Sequence, residues 1–390
     1  MKIAIIHSIY KPHTRGGAEV VVERVARDLK KRSNDVFVIS VGRHNKVEEI
    51  DGIRVYRIKP FNLFNFLDIN NKPAWLRFPW HIIDMINDMQ TWRIWRVIMK
   101  ENPDLVLTHN LKGLGYYIPW VLRIMKINHI HTVHDMQLIH PSGLINVSGK
   151  VGIFSRIYAF VCKNLFKSPK TVVFPSQYIK GVYEKYGFFK KSNKIVLGNP
   201  VKMHGLIKKG KDACRSPQLL FLGQVEEYKG IFDLITAIKE IKSSITLHIV
   251  GDGKALERAR ELAGDSKKFK FHGRMDHDEI DDKIWPNINL LINPTHVPES
   301  FGMVVMEACS YGIPSLSSNV GAISELIDDG KTGWLFEAGN TNQLKDKLET
   351  ISGKLCTYGA IGMLCQERAK KFETGMYLNK LMESVKIREL

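Results

Sequence analysis

The sequence predicts an α/β protein of two Rossmann-like domains, each a doubly wound parallel sheet, facing one another across a cleft. Three observations predict it. Apolar runs of strand length alternate with longer helix-period segments along the whole chain. The alternation breaks near residue 200, where Gly198-Asn199-Pro200 reads as a turn and Lys202 to Ser216 is rich in Lys and Gly with little apolar content. It then starts afresh with Leu219-Leu220-Phe221-Leu222-Gly223, and 390 residues suffice for two or three domains.

In the first half, Lys2 to Ile6 is a buried-type strand and His7 to Arg15 a loop. Gly16-Gly17-Ala18-Glu19 opens a helix to about Arg32, with Val20, Val21, Val25 and Leu29 as its apolar face. A Gly-Gly pair there is either a plain turn or a place where backbone approaches a diphosphate. It is not a dinucleotide fingerprint, because the Gly-x-Gly-x-x-Gly spacing is absent. Asp35 to Ser40 and Ile53 to Ile58 are the next strands. Residues 61–100 interleave Phe61, Phe64, Phe66, Trp75, Trp80 and Trp92 with Arg77, Arg93, Arg96 and Lys100, and Lys150 to Lys170 is similar. Such stretches either lie at a membrane interface or pack as core under a helix. Pro103 to Asn110, His129 to Asp135, and Val172 to Ser176 are strands with their following loops. His134 falls at a carboxyl end, where open parallel sheets bind ligands.

In the second half, Leu219 to Gly223 leads through Gln224-Val225-Glu226-Glu227-Tyr228-Lys229-Gly230 into a helix from Ile231. Leu247 to Gly253 and Phe269 to Gly273 are strands with Gly-rich ends. Asp276-His277-Asp278 matches an Asp-x-Asp metal motif superficially, but Asp276 and Glu279 have capping-box spacing, and we read a helix start. Leu290 to Asn293 is a strand ended by Pro294. Then come Pro298-Glu299-Ser300-Phe301-Gly302 and a helix from Val304 to Tyr311, with Ser300 as a cap. Pro314 to Ser318 is a strand, Asn342 to Ser352 a helix, and Cys365 to Leu390 helical.

Amides near Phe301, Gly302 and Met303 at that helix start suit an anion. Glu299 precedes the helix and Glu307 lies about one turn inside, and carboxylates accept hydrogen bonds from paired hydroxyls. A diphosphate flanked by hydroxyl acceptors points to a nucleotide sugar. Glu299 and Glu307, followed by Gly312-Ile313-Pro314, Gly321-Ala322-Ile323-Ser324-Glu325 and Gly330-Lys331-Thr332-Gly333, resemble the donor-binding half of glycosyltransferase family 4, retaining enzymes of the GT-B fold. The resemblance implies that Gly16 and Gly17 face the donor phosphates and that His134, in Thr-x-His-Asp, faces the transferred sugar. Lys229 matches the lysine that neutralises the diphosphate, whereas Gln224 stands where the family has arginine. Catalytic roles thus fall to His134, Lys229 and Glu299, and donor contacts to Gly16, Gly17, Gln224, Lys229, Glu299, Phe301, Gly302, Met303 and Glu307. No metal is expected, since Lys229 and helix-start amides supply the charge. The resemblance also implies a first domain of residues 1–200 joined by a terminal helix of about 375–390, and a second of 201–374.

Hydrophobic residues at 44% and charged ones at 25% are ordinary for a globular chain. The net charge is +17, and all of it lies in residues 1–200, with 31 Lys+Arg against 14 Asp+Glu. Such a field attracts anionic surfaces or substrates, and no nucleic-acid motif accompanies it. Five scattered cysteines suggest buried free thiols. Residues 1–6 are too short for a signal peptide and no run reaches membrane-spanning length, so a cytoplasmic protein is expected, and the basic first half with its aromatic stretches adds a peripheral place on the inner face of the cell membrane. The expected reaction is retaining hexosyl transfer from a UDP- or GDP-sugar to a lipid-linked or surface-polysaccharide acceptor. Rival readings are a GT-B sugar-nucleotide epimerase and a non-catalytic binder of sugar nucleotides or polyanions.

Overall fold

The apolar runs pair side by side as parallel strands. A computed structural model describes residues 1–145, 152–167, 169–207, 216–355 and 359–386. The chain divides into two compact units, one holding Met1–Ile145, the described residues 152–200 and the chain from Thr374, the other Val201–Glu373.

In the first unit β1 (Lys2–Ile6), β2 (Asp35–Val41), β3 (Lys46–Ile50), β4 (Ile53–Ile58), β5 (Leu105–Thr108), β6 (Asn128–Thr132), β7 (Thr171–Phe174) and β8 (Asn193–Val196) form one sheet. Its order is β3-β4-β2-β1-β5-β6-β7-β8, and only β3 and β4 run antiparallel. The helices are α1 (Gly17–Lys31), α2 (Ala74–Met85), α3 (Asp88–Glu101), α4 (Ile118–Ile124), α5 (Ile153–Phe166) and α6 (Gln177–Lys185). Steps from β4 to β5 and onward to β8 all move the same way across the sheet, so right-handed crossovers put α3 to α6 on one face and α1 on the other. Both faces of β1, β5 and β7 are therefore covered, which is why they read as unbroken apolar runs.

The second unit repeats the plan with β9 (Gln218–Leu222), α7 (Ile231–Glu240), β10 (Thr246–Val250), α8 (Leu256–Ala263), β11 (Phe269–Gly273), α9 (His277–Glu279), β12 (Leu290–Asn293), α10 (Met303–Ser310), β13 (Ser315–Ser318), α11 (Ile323–Leu326), β14 (Gly333–Phe336), α12 (Thr341–Ser352) and α13 (Gly359–Lys370). All pairs in the order β11-β10-β9-β12-β13-β14 are parallel. The last helix, α14 (Thr374–Lys386), packs on α1 in the first unit, where Arg32 donates to Asn379 Oδ1 (2.7 Å) and to the Gly375 carbonyl (3.0 Å).

Several expectations change. Strand β3 went unread because it is a mostly exposed, charged edge strand, Lys46-Val47-Glu48-Glu49-Ile50, and its only signal is the Asp51-Gly52 hairpin turn, with φ of 52° and 71°. The stretch from Cys365 is not one helix, because the chain breaks between α13 and α14. Ser300 does not cap α10: Gly302 does, at φ 97°. Asp276 starts α9 without a side-chain cap, and only the return half of the box forms, the Glu279 carboxylate accepting from the Asp276 amide. Residues 61–100 are core only in part. Trp80 is fully buried between Phe64 and Phe66 and its Nε1–H donates to the Phe64 carbonyl (2.8 Å), while Trp75, Phe78 and Trp92 are exposed. Cys162, Cys309 and Cys365 are buried free thiols. Cys214, Cys356, Lys150, much of the Lys202–Ser216 connection and the end of the 375–390 helix lie outside the described residues.

Candidate functional site

Each sheet reverses its winding at one place. In the second unit β10 and β11 lie to one side of β9 and β12 to β14 to the other, so the neighbouring strands β9 and β12 mark the switch point at whose carboxyl edge open parallel sheets bind ligands. Lys229 lies on the loop after β9 and Glu299 on the loop after β12. Their side chains meet there, Nζ donating to Oε1 at 2.6 Å, with 26% and 15% of each side chain exposed. Burial works against the Lys229 charge, but Glu299 outweighs it and holds the ammonium above its ordinary pKa.

Close backbone packing fixes both loops. Gly230 starts α7 at φ 73°, and a Cβ there would stand 1.9 Å from the Pro294 carbonyl oxygen. The His296 amide donates to the Tyr228 carbonyl (2.8 Å), and the His296 imidazole meets the Asp233 carboxylate. On the other side Gly321 pairs with Glu299 in a one-residue bridge, where a Cβ would meet the Glu299 oxygen and nitrogen at 2.5 and 2.6 Å, and Ala322 N–H donates to the Glu299 carbonyl (2.9 Å). The Gly321-Ala322 motif therefore holds Glu299 in place from below.

At α10 the first intrahelical bond closes from Val305 N–H to the Gly302 carbonyl (3.1 Å), so the Gly302, Met303 and Val304 amides precede the helical ladder. The Phe301 side chain is buried edge-to-face against Phe372, leaving its backbone as the part suited to a ligand. Glu307 is half-buried, one turn along from Met303 and Val304. Gln224 is exposed and its Oε1 accepts from the Tyr228 hydroxyl (2.8 Å).

In the first unit β1 plays the part of β9, with β2 on one side and β5 on the other. Loops after β1, β5 and β6 gather three histidines. His109 Nδ1 and His134 Nε2 share a hydrogen bond at 2.8 Å with their rings stacked, and His7 stands edge-on to both. Burial lowers His134 to about 4, while burial and the neighbouring imidazoles hold His7 and His109 well below the ordinary value. All three are neutral at neutral pH and act as hydrogen-bonding groups, not cations. The Asp135 carboxylate accepts from Gln137 N–H (2.7 Å) and Asn110 (3.1 Å), which pins the His134 loop. Gly16 is the N-cap of α1 and its amide donates to Glu19 Oε2 (2.9 Å). Its φ of −167° suits any residue, and a Cβ would meet only Glu19, at 3.9 Å. Among the described residues, no packing contact therefore asks for glycine at 16.

Sequence reasoning missed His7, Glu19 and His109. The signal for His109 was present, since it follows β5 as His134 follows β6, but their pairing requires the strand order.

Comparison with known proteins follows the same division. The profile of Glycosyltransferase Family 4 matches residues 15–203 and that of Glycosyl transferases group 1 matches residues 206–353. The chain is a family 4 glycosyltransferase. Among its relatives, an uncharacterized 42.6 kDa protein in the cps region of Klebsiella pneumoniae is 28% identical over 333 residues, covering 84% of this chain and 87% of the relative. An uncharacterized glycosyltransferase of Methanocaldococcus jannaschii is 24% identical over 95% of this chain and 94% of its own. Solved structures with the same GT-B fold include sucrose-phosphate synthase from Thermosynechococcus elongatus, with TM-score 0.76 and 18% identity over 99% of this glycosyltransferase and 98% of the synthase. HepE of Anabaena in complex with UDP-glucose has TM-score 0.73 and 19% identity over 99% of each chain.

Proposed function

We propose that this glycosyltransferase moves a hexosyl unit from a UDP- or GDP-sugar to a hydroxyl of a lipid-linked or surface-polysaccharide acceptor, with retention at the anomeric carbon. The observation that carries the reading is the Lys229–Glu299 pair at the winding reversal of the second unit, on loops whose neighbours are the open amides of α10 and Glu307. In HepE, a protein of the same fold, the bound molecule is UDP-glucose. A relative in a cps region favours a surface-polysaccharide acceptor.

In this reading the bond from the anomeric carbon to the phosphate oxygen breaks, and a bond to the acceptor oxygen forms on the same face. The acceptor proton passes to the departing diphosphate oxygen. Lys229 and the Phe301 to Met303 backbone stabilise the charge on that leaving group, and Gly16 and Gly17 give it backbone to approach. Gln224 stays neutral, so Lys229 and helix-start amides carry the electrostatic load without a metal. Glu307 accepts from the ribose hydroxyls and Glu299 from the sugar hydroxyls. His134, neutral because it is buried, donates or accepts a hydrogen bond to the transferred sugar.

The test is a thermal-shift panel of uridine, guanosine and adenosine diphosphates and their sugars on the wild type and Glu307→Ala. Stabilisation by one base series, lost in the variant, is the expected result. A panel in which no nucleotide shifts the wild type, or in which Glu307→Ala shifts equally, overturns the assignment.

A further inference from the structure

The first unit leaves uncovered a set of apolar side chains that its core does not use. On α5 the residues Ile153, Phe154, Ile157 and Phe160 are 57–74% exposed and stand at i, i+1, i+4 and i+7, one stripe of the helix, while Tyr158, Cys162 and Phe166 on the other side are buried. Neighbouring helices repeat the pattern with Trp75, Phe78 and Ile82 on α2, Met89, Trp92 and Met99 on α3, and Trp120 and Ile124 on α4. The crossover sense puts α3, α4 and α5 on one face of the sheet. There α4 touches both α3 and α5, and Met85 at the end of α2 meets Cys162 of α5 at 3.6 Å. Scattered exposed apolar residues are ordinary. A face of adjacent helices carrying three exposed tryptophans marks an interaction surface.

Charge selects the partner. Residues 136–183 contain six Lys and Arg and no Asp or Glu. Basic groups lie directly over the exposed rings, Arg96 over Trp92 at 5.0 Å and Lys163 over Phe160 at 5.6 Å, while Arg123 and Lys126 flank the end of α4. Aromatic rings edged by cations suit the boundary between phosphate headgroups and acyl chains. A second copy of this chain is a poor occupant, since a two-fold contact through this face would set Lys and Arg against Lys and Arg. No described helix is long and apolar enough to cross a membrane, so the face would lie on a bilayer.

We propose that the α2 to α5 face binds the surface of an anionic phospholipid bilayer, with Phe154 and Phe160 entering the headgroup boundary and the surrounding lysines and arginines meeting lipid phosphates. The proposal deepens the acceptor reading above, on which it rests, by naming the surface that brings the enzyme to a lipid-linked acceptor.

Flotation with vesicles of phosphatidylglycerol and phosphatidylethanolamine, against vesicles of phosphatidylcholine alone, tests it. Wild type is expected to bind the anionic vesicles at least about tenfold more tightly, and less so as salt is raised. The F154E/F160E variant, altered only at exposed positions and checked for an unchanged melting temperature, is expected to lose about tenfold or more of that binding. Equal binding by variant and wild type, or no preference for anionic vesicles, overturns the proposal. So does a wild-type dimer that the variant makes monomeric, because the face is then a contact between copies. Vesicle binding is measured without nucleotide and the nucleotide shift without vesicles, so either reading can fail while the other stands.

Discussion

Replacing Glu299 by Gln should tighten the binding of a free nucleoside diphosphate while lowering turnover of the sugar nucleotide. Lys229 Nζ already has a carboxylate at 2.6 Å, so its charge is spoken for before any ligand arrives. A phosphate oxygen taking the same ammonium would come within about 5 Å of the carboxylate. With an effective dielectric of about 20, that repulsion is roughly 3 kcal/mol per charge, and solvent at this partly exposed pair reduces it to about 1–2 kcal/mol. Glu299→Gln removes the repulsion, and its nucleoside-diphosphate affinity should rise about tenfold. On the proposed role of Glu299, turnover should fall, because an amide accepts more weakly from the sugar hydroxyls than a carboxylate does. Lys229→Met leaves the carboxylate uncompensated, should weaken the same binding more than tenfold, and should lower kcat by roughly a hundredfold or more. Isothermal titration of wild type, both single variants and the double variant gives the coupling between the two residues. If Glu299→Gln binds the diphosphate no tighter than wild type while Lys229→Met weakens it, Glu299 does not hold back the lysine charge and the reasoning fails.

Two further outcomes follow from the packing. Asp84 is buried under two contacts from Gly113 N–H (2.9 and 3.0 Å), and burial raises its pKa from 3.8 to about 7. The folded chain therefore binds a proton that the unfolded chain lacks between those values, and stability falls as pH rises through that window. From about pH 5 to pH 8 the loss comes to roughly 2–3 kcal/mol. Asp84→Asn lacks that titration, so urea unfolding should show the variant gaining on wild type by this amount over the same range. The buried histidines cancel in the difference, and a flat difference would mean that Asp84 is ionised in the fold. Gly230→Ala should cost about 2–4 kcal/mol and misplace Lys229, because its Cβ would meet the Pro294 carbonyl at 1.9 Å in a left-handed conformation. Gly353→Ala has nothing within 4 Å and should leave the melting temperature nearly unchanged.

What could be read in advance depended on whether a feature is local. Strands such as Ile3-Ala4-Ile5-Ile6 and Leu290-Leu291-Ile292 are covered on both faces, so burial writes itself into consecutive apolar letters. Strand β3 is open to solvent and left no such trace. Around Glu299, Gly302 and Glu307 the strand–loop–helix order was legible, but the conformation was not. Ser300 is a good capping residue by type, yet the chain starts α10 with Gly302 at positive φ, packed so closely that a Cβ would lie 2.6 Å from Ile323.

The contacts that give both candidate clusters their chemistry depend on strand order, which no local pattern encodes. Lys229 and Glu299 are seventy positions apart and touch because β12 enters the sheet beside β9 on the side opposite β10. His7 and His109 meet across β1 and β5 for the same reason. In each unit the reversal of winding brings together, at the carboxyl edge, loops that follow strands far apart in the sequence. A few polar side chains on those loops can then face a ligand without disturbing the apolar layers beneath them. This explains why the motif glycines divide into two kinds. Gly230 and Gly321 are required by the backbone they touch and hold Lys229 and Glu299 in place. At Gly16 an added Cβ would meet only Glu19, at 3.9 Å, so among the described residues no close packing asks for glycine there.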